Sequence, residues 1–240
     1  MRPRPSRIRG QHEHYSGQCA PPYFRTPPIA PDGAQVAFIY AGDIWLVSIE
    51  GGDAERLTAN PAGHSSPRWS PDGAAIAFSS SRTGQGDIYV LPLAGGELRR
   101  VTYHHTASVV EDWSTDGQQI FFSSAREQQG SGTYRVAAEG GTPIRRDSQP
   151  YETINSLAVA PDGKTLAFNN SRDRWWRRGP NPYGGPDIWT VGSSIGSGDF
   201  HQISPYADLN RWSPTSMHSN ADGLFRHYSY QIHGPMAQSL

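Results

Sequence analysis

Two short strings in the sequence match motifs of catalytic or phosphate-binding loops. Gly192-Ser193-Ser194-Ile195-Gly196 fits the Gly-x-Ser-x-Gly pattern of a serine-hydrolase nucleophile elbow, which requires a strand-to-helix turn, a positioned base and an oxyanion hole. The string lies in a Gly- and Ser-rich tract without that context, so it predicts a linker. Gly163-Lys164-Thr165 ends like a phosphate-binding loop, but Ala158 stands at the first glycine position and no helical pattern follows. No catalytic residue is therefore assigned.

Metal binding is the chemistry that the adjacent His104 and His105 suggest. A site would need further ligands, and Glu111 and Asp112 would supply them only if their loop folded back. No known ligand spacing is met, which favours a solvated loop. Cys19 is the single cysteine, so it has no partner for a disulfide or a metal site. We expect neither a metal nor a cofactor.

The strongest binding signal is an insertion rich in arginine and tryptophan. Equivalent aromatic residues of a repeat are 44 or 45 residues apart in the first copies, but 55 residues separate Tyr134 from Trp189. Insertions in repeat proteins form loops, often on the binding face, and guanidinium groups suit a peptide carboxylate or an acidic protein surface. Alternatively, arginine stacks on tryptophan to seal this segment against its neighbour. The predicted peptide- or partner-binding residues are Arg174, Trp175, Trp176, Arg177 and Arg178.

A repeat of four copies must position this insertion. An Asp-Gly turn before a short apolar strand recurs at spacings of 40, 44 and 46 residues. An aromatic landmark and then a small-residue turn follow each of these turns. The aspartates keep the period of the repeat, so turn hydrogen bonds explain them better than acid catalysis does. The turn aspartates are Asp32, Asp72, Asp116 and Asp162, and the landmark aromatics are Trp45, Tyr89, Tyr134 and Trp189.

Each copy reads as four short strands, which predicts an all-β fold, a β-propeller with about four four-stranded blades. The 26 Gly and 20 Pro among 240 residues agree with a turn-rich β protein. A six-bladed ring needs roughly 260 residues, so we interpret the blades as an incomplete ring. Uncapped blades expose apolar ends, and we expect self-association through them.

The repeats also divide the chain into segments. We expect a flexible basic leader over 1–22 and the propeller repeats over 23–212. The blades fall at about 23–62, 63–106, 107–150 and 151–207. Residues 213–240 are expected to form an irregular C-terminal tail or a broken fifth blade.

Composition excludes several classes of partner. A net charge of −1 gives no reason to expect nucleic acid or a membrane surface, and no apolar run approaches the roughly 20 residues that span a bilayer. The basic start lacks the apolar stretch of a secretory signal. The sequence as written therefore predicts a cytoplasmic location, or a periplasmic one if the true N-terminus is missing.

The repeat pattern Ser-Pro-Asp-Gly, Ile-Ala-Phe, Asp-Ile-Tyr, Gly-Gly and Leu-Thr resembles the WD-type repeat of two propeller families over about 23–212. One is the periplasmic Tol translocation propeller, and the other is the N-terminal propeller of tricorn-type serine peptidases. The run from Arg174 to Gly179, with 204–206 and 210–212, is more similar to tricorn-type sequences.

The tricorn resemblance implies a non-catalytic propeller that guides peptides towards a separate protease core. The catalytic residues of that core lie beyond the repeats, so none is carried over and we expect no peptidase activity from this chain alone. Two alternatives stay open. The chain is a Tol-like envelope scaffold, or it is a fragment of an active serine hydrolase whose catalytic core is missing.

Overall fold

A computed structural model describes residues 27–127, 131–146, 153–171, 187–192, 201–202, 216–219 and 225–228. Within these ranges nearly all regular structure is β-strand, apart from one turn of 3-10 helix at Ser81–Thr83. In the same ranges no helix has the length and hydropathy of a membrane-spanning segment. The strands are β1 (Gln35–Tyr40), β2 (Asp43–Ser48), β3 (Glu55–Arg56), β4 (His64–Trp69), β5 (Ala75–Ser80), β6 (Asp87–Pro92), β7 (Arg99–Arg100), β8 (Ser108–Trp113), β9 (Gln119–Ser124), β10 (Gly132–Ala137), β11 (Ile144–Arg145), β12 (Thr153–Val159), β13 (Thr165–Ser171), β14 (Asp187–Gly192), β15 (His201–Gln202), β16 (Ser216–Ser219) and β17 (Phe225–Tyr228).

The strands pair with their sequence neighbours into antiparallel sheets, which confirms the predicted all-β class. Blade 1 is β1-β2-β3, blade 2 is β4-β5-β6-β7, blade 3 is β8-β9-β10-β11 and blade 4 is β12-β13-β14-β15. Blade 1 has three named strands, and Ile29 bridges Val36 of β1 at the place of an inner strand. The inner strands β4, β8 and β12 lie side by side.

The landmark aromatics occupy equivalent positions in all four blades, as predicted. Each lies on the third strand opposite a phenylalanine of the second strand. Because the side chains of a strand alternate between its faces, this register directs every such pair to the same side of its blade. The pairs are Phe38 with Trp45, Phe78 with Tyr89, Phe122 with Tyr134, and Phe168 with Trp189.

The hydrophobic core lies between blades, in three clusters of buried side chains. Ile44 and Leu46 of blade 1 pack with Ile76 and Phe78 of blade 2, and similar clusters join blades 2 and 3 and blades 3 and 4. The third strand of a blade contributes to the clusters on both of its faces. Tyr89 belongs to the cluster between blades 1 and 2, whereas Ile88 and Val90 belong to the cluster between blades 2 and 3. Each blade is therefore stabilised mainly by burial against the blades beside it.

The Asp-Gly turns form as the sequence predicts. Asp72 Oδ1 accepts hydrogen bonds from the Ser70 hydroxyl at 2.6 Å and from the Ala74 amide at 3.0 Å, while Gly73 adopts a φ of +71° that favours glycine. The other three turn aspartates accept the same bond from the amide two residues on. Strand β13 begins at Thr165, directly after Gly163-Lys164, so that string belongs to a repeat turn.

A two-stranded sheet of β16 and β17 lies in the region predicted as a tail or broken fifth blade. Ser219 of β16 pairs with Phe225 of β17, so the strands flank the Asp222-Gly223 pair. Strand β16 neighbours β12, as β12 neighbours β8. This hairpin stands where the first two strands of a further blade would be.

Candidate functional site

The turns of the blades form two opposite faces with different charges. One face carries the turns between β1 and β2, β5 and β6, and β9 and β10. We call it the arginine face, and we define it by Arg56, Arg82, Arg100, Arg126 and Arg145, which lie on or beside these turns. The other end of the blades is the acidic face, whose Asp-Gly and Gly-Gly turns carry the exposed carboxylates of Asp32, Glu50, Asp53, Asp72, Glu97, Asp116, Glu139 and Asp162.

The five residues predicted to bind a partner belong to the connection between β13 and β14. Strand β13 ends at Ser171 and β14 begins at Asp187, and both of these ends lie at the arginine face. Residues 172–186, with Arg174 to Arg178 among them, lie outside the described residues. The topology therefore attaches this connection to the arginine face.

A carboxylate neutralises the outer-strand arginine of blade 1. Asp43 is 3% exposed and accepts hydrogen bonds from Arg56 Nε at 3.0 Å and from the Thr58 hydroxyl at 3.0 Å. Burial tends to raise the pKa of Asp43, but the hydrogen bonds from Arg56, the Asn60 amide and Thr58 together lower it below its ordinary value. The aspartate is thus an anion that joins the third strand to the outer strand.

Blade 2 repeats this cluster and blade 3 varies it. Asp87 accepts hydrogen bonds from Arg100 Nη2 at 2.7 Å and from the Thr102 hydroxyl at 3.1 Å. In blade 3 Gly132 stands at the aspartate position, and Arg145 instead pairs with Glu127. All three outer-strand arginines therefore have a carboxylate partner.

Arg82 and Arg126 form no ion pair with any described residue. The guanidinium carbon of Arg82 lies 4.7 Å from the centroid of the Tyr89 ring, and that of Arg126 lies 4.8 and 4.9 Å from the Phe122 and Tyr134 rings. Cation–π contacts hold both groups. The two arginines are equivalent by position. No described carboxylate lies within ion-pair distance of either, although Asp87 and Glu127 act on Arg126 from farther away.

His64 lies beneath Arg82, and its side chain is fully buried. Its Nε2 atom is 3.4 Å from Arg82 Nη2 and 3.8 Å from Asp43 Oδ1. Arginine can only donate, so Nε2 accepts and Nδ1 carries the proton. Burial and then the Arg82 charge lower the pKa of His64, whereas Asp43 and the backbone of Gly63 oppose the shift. In blade 3 Ser108 takes this place and accepts from Arg126 Nη2 at 3.1 Å.

The other candidate metal ligands do not converge. The rings of His104 and His105 lie 4.3 Å apart, and His104 Nδ1 accepts from the Thr106 amide. Glu111 and Asp112 face blade 4 instead, where Asp112 Oδ2 accepts from the Val159 amide at 2.8 Å. Across the described ranges, no three His, Cys, Asp or Glu side chains form a group that could hold a metal ion.

Glu111 is the extra residue of a β-bulge in β8, between Val110 and Asp112. It accepts hydrogen bonds from the Ser123 hydroxyl at 2.8 Å and the Leu157 amide at 3.4 Å. Burial raises the pKa of Glu111, although these hydrogen bonds and the Arg68 charge act in the opposite direction. The bulge thus directs a carboxylate towards the next blade.

Exposed aromatic side chains accompany the arginines. Tyr103 is 69% exposed and lies under Arg100, whose guanidinium carbon is 4.4 Å from the ring centroid. Tyr40 is 46% exposed and packs edge-on against Trp45. Arginine and aromatic residues together are the usual composition of binding hot spots.

A groove of about 420 Å³ opens on the acidic face between blades 2 and 3. Asp72, Asp116 and Trp113 line it, together with an ion pair in which Arg99 donates to Glu139 at 2.6 Å. The lining carries more negative than positive charge. The two faces of the protein therefore differ in charge.

The sequence interpretation assigned no role to Arg82 or Arg126. A spacing in the sequence could have identified them. Arg82 and Arg126 each stand four residues after the phenylalanine that recurs on the second strand of the blades, and Arg172 stands at the same distance from Phe168. What the sequence lacked was the set of partners, because the phenylalanine and tyrosine rings beneath each arginine come from two different strands.

Comparison with known proteins agrees with this architecture. The family described as the tricorn protease N-terminal beta propeller domain matches residues 21–220. Tricorn protease homolog 1 of Streptomyces coelicolor is 43% identical over 65 residues, which are 27% of this chain and 6% of that protein, so the match spans a small part of the relative.

Two solved structures show the same fold. The putative TolB of Agrobacterium tumefaciens has a TM-score of 0.70 at 25% identity, over 88% of this chain and 71% of that one. A puromycin-hydrolyzing peptidase of Mycobacterium tuberculosis has a TM-score of 0.62 at 15% identity, over 81% of this chain and 31% of that one.

Proposed function

The chain belongs to the tricorn protease N-terminal β-propeller family, and from this premise we propose that it is a non-catalytic module that binds peptide or protein. The observation that carries the proposal is the topology of the insertion. Both ends of the connection that contains Arg174, Trp175, Trp176, Arg177 and Arg178 lie at the arginine face. Arginine and tryptophan supply binding energy in most protein interfaces.

The described part of the arginine face supports the same role. Arg82 and Arg126 add cations without carboxylate partners, and the exposed ring of Tyr103 adds apolar surface. A peptide offers backbone carbonyls and carboxylates to such a face. We further propose that a protease core in a longer protein receives the bound ligand, because the similar proteins include a tricorn protease homolog and a puromycin-hydrolyzing peptidase.

Peptide binding is tested with fluorescein-labelled octapeptides of acidic, neutral and basic composition. We expect at least one composition to bind the full chain, and we expect the double substitution Trp175→Ala with Trp176→Ala to weaken it about tenfold or more, about 1.4 kcal/mol. Arg99→Gln on the acidic face is the matched control and should bind normally. Absence of binding by every composition would refute the proposal.

The non-catalytic role has a separate test. Incubation of the chain with a panel of fluorogenic peptides should give no turnover, because no Ser-His pair with an orienting group is placed by the sequence outside a repeat turn. Turnover that Ser194→Ala abolishes would make the chain an active hydrolase.

The second candidate is an envelope scaffold, which the similarity to the putative TolB of Agrobacterium tumefaciens favours. The two candidates differ in what the coding region should contain. Reading the source DNA outward in both directions should reveal a downstream peptidase domain under the first proposal. An upstream export signal without a peptidase domain would support the scaffold instead.

A further inference from the structure

We propose that the arginine face selects peptide segments with acidic side chains, and that Arg82 and Arg126 each bind a carboxylate. This inference rests on the proposed function, because it names the class of ligand for the same face. It adds residues that lie outside the insertion and that are fixed in the described part of the chain.

Both guanidinium groups are held in place before any ligand arrives. Arg82 Nε donates to the Ser80 hydroxyl at 3.2 Å and stacks over Tyr89, and Arg126 Nη2 donates to Ser108 and stacks over Phe122. A fixed side chain loses little conformational entropy when it binds. The planar fork of arginine also matches a carboxylate with two parallel hydrogen bonds.

The remaining hydrogen-bonding capacity of these groups points to an anion. The Nη1 atom of each arginine donates to no described residue. The outer-strand arginines Arg56 and Arg100 differ, because Asp43 and Asp87 neutralise them. Partial burial of an unpaired cation is unfavourable, and a ligand carboxylate would relieve that cost.

The charge distribution determines which face an acidic ligand approaches. The opposite face carries eight exposed carboxylates on its turns, so an acidic segment is repelled there and attracted to the arginine face. Because Arg82 and Arg126 are equivalent positions of adjacent blades, a segment that lies across both blades meets one guanidinium in each. A segment with two or more acidic side chains therefore fits better than one with a single carboxylate.

The test compares a fluorescein-labelled octapeptide that contains several glutamates with its glutamine counterpart, using the full chain. We expect the glutamate peptide to bind at least about tenfold more tightly at low salt and to lose this advantage as salt rises. Arg82→Gln with Arg126→Gln should remove the preference, while Arg99→Gln on the acidic face should keep it. Equal affinity of the two peptides, or an unchanged preference in the double variant, would overturn the inference.

Further measurements separate this inference from the proposed function. Binding of the glutamine peptide that depends on Trp175 and Trp176, without any glutamate preference, would leave the proposed function standing and refute the inference. Binding of neither peptide would refute the inference, and the proposed function would then depend on the basic octapeptide alone. If the double variant does not fold by circular dichroism, the single substitutions Arg82→Gln and Arg126→Gln decide. Each should reduce the preference, because each removes one cation, and a preference that persists undiminished in both would count against carboxylate binding at these arginines.

Discussion

The indole Nε1 of Trp113 donates a hydrogen bond to the backbone carbonyl of Arg68, 3.2 Å away across the boundary between blades 3 and 2. Trp69 makes the same bond to the carbonyl of Pro28, at 3.1 Å, one blade earlier. The tryptophan that precedes the Asp-Gly turn therefore joins each of these blades to the one before it. Burial of the ring and a directed hydrogen bond act together at one position.

Substitution of Trp113 by phenylalanine should remove the hydrogen bond together with part of the buried ring. The side chain stays apolar, but the Arg68 carbonyl loses its donor, so we expect the free energy of unfolding to fall by about 1 kcal/mol. A further loss is expected because phenylalanine is smaller than tryptophan and leaves part of the buried space unfilled. Urea denaturation measures it. Tyr103→Phe, which removes an exposed hydroxyl, is the control. Equal stability of Trp113→Phe and wild type would show that the bond contributes nothing.

Replacement of Thr102 by valine should measure how much the cluster of Asp87, Thr102 and Arg100 contributes to stability. The Thr102 hydroxyl accepts from the Ile88 amide at 2.9 Å and donates to Asp87, so valine leaves a buried amide without an acceptor. We expect a loss of about 1–3 kcal/mol in the free energy of unfolding. Thr115→Val, at an exposed turn, should change it by less than about 0.5 kcal/mol. If Thr102→Val lowers the free energy of unfolding no more than Thr115→Val does, the Thr102 hydroxyl does not stabilise the fold.

Acidification should destabilise the protein through His64. The folded pKa of His64 is lowered by burial and by Arg82, so below the unfolded value of about 6.5 the unfolded chain binds a proton that the folded chain does not. Stability conferred by neutral His64 is therefore lost as pH falls below about 6.5. We expect His64→Gln to lose less stability than wild type between about pH 7.5 and about pH 5.5 in urea titrations.

The exposed His201 supplies the control for that measurement. His201→Gln should keep the pH dependence of the wild type, because its side chain lies outside the buried cluster. Identical pH slopes for wild type and His64→Gln would exclude His64 as the group responsible.

Removal of the charge on Glu111 should stabilise the protein at neutral pH. The folded pKa of Glu111 is raised, so ionisation opposes folding above the unfolded pKa of about 4.3, and the cost disappears as pH falls and the folded carboxyl takes up its proton. Glu111→Gln keeps an oxygen that accepts from Ser123. We expect it to be more stable than wild type near neutral pH and equal to it in acid.

The exposed Glu139 tests whether this gain is specific. Glu139→Gln should show no such gain. A less stable Glu111→Gln at neutral pH would mean that the Arg68 charge outweighs burial.

Self-association through uncapped blades also stays a prediction, which sedimentation velocity would test.

Much of the fold was readable from the sequence because the blade signals are local. The Asp-Gly turns and the aromatic on each third strand lie within a few residues of the strands that they define, and their chemistry does not depend on distant partners. The bulge of β8 at Glu111 was not readable, since a bulge depends on which residues of β9 pair with it. The direction of the Glu111 and Asp112 carboxylates, towards blade 4, was therefore not available from spacing alone.

The sequence by itself determined the repeat, the strand class and the place of the insertion between β13 and β14, since period and turn residues are properties of the chain. Only the tertiary structure decided which arginines are neutralised. Arg56 meets Asp43 across two strands, whereas Arg126 meets aromatic rings and Ser108 but no described carboxylate. Charge compensation depends on distances between residues far apart in sequence, and folding alone brings those residues together.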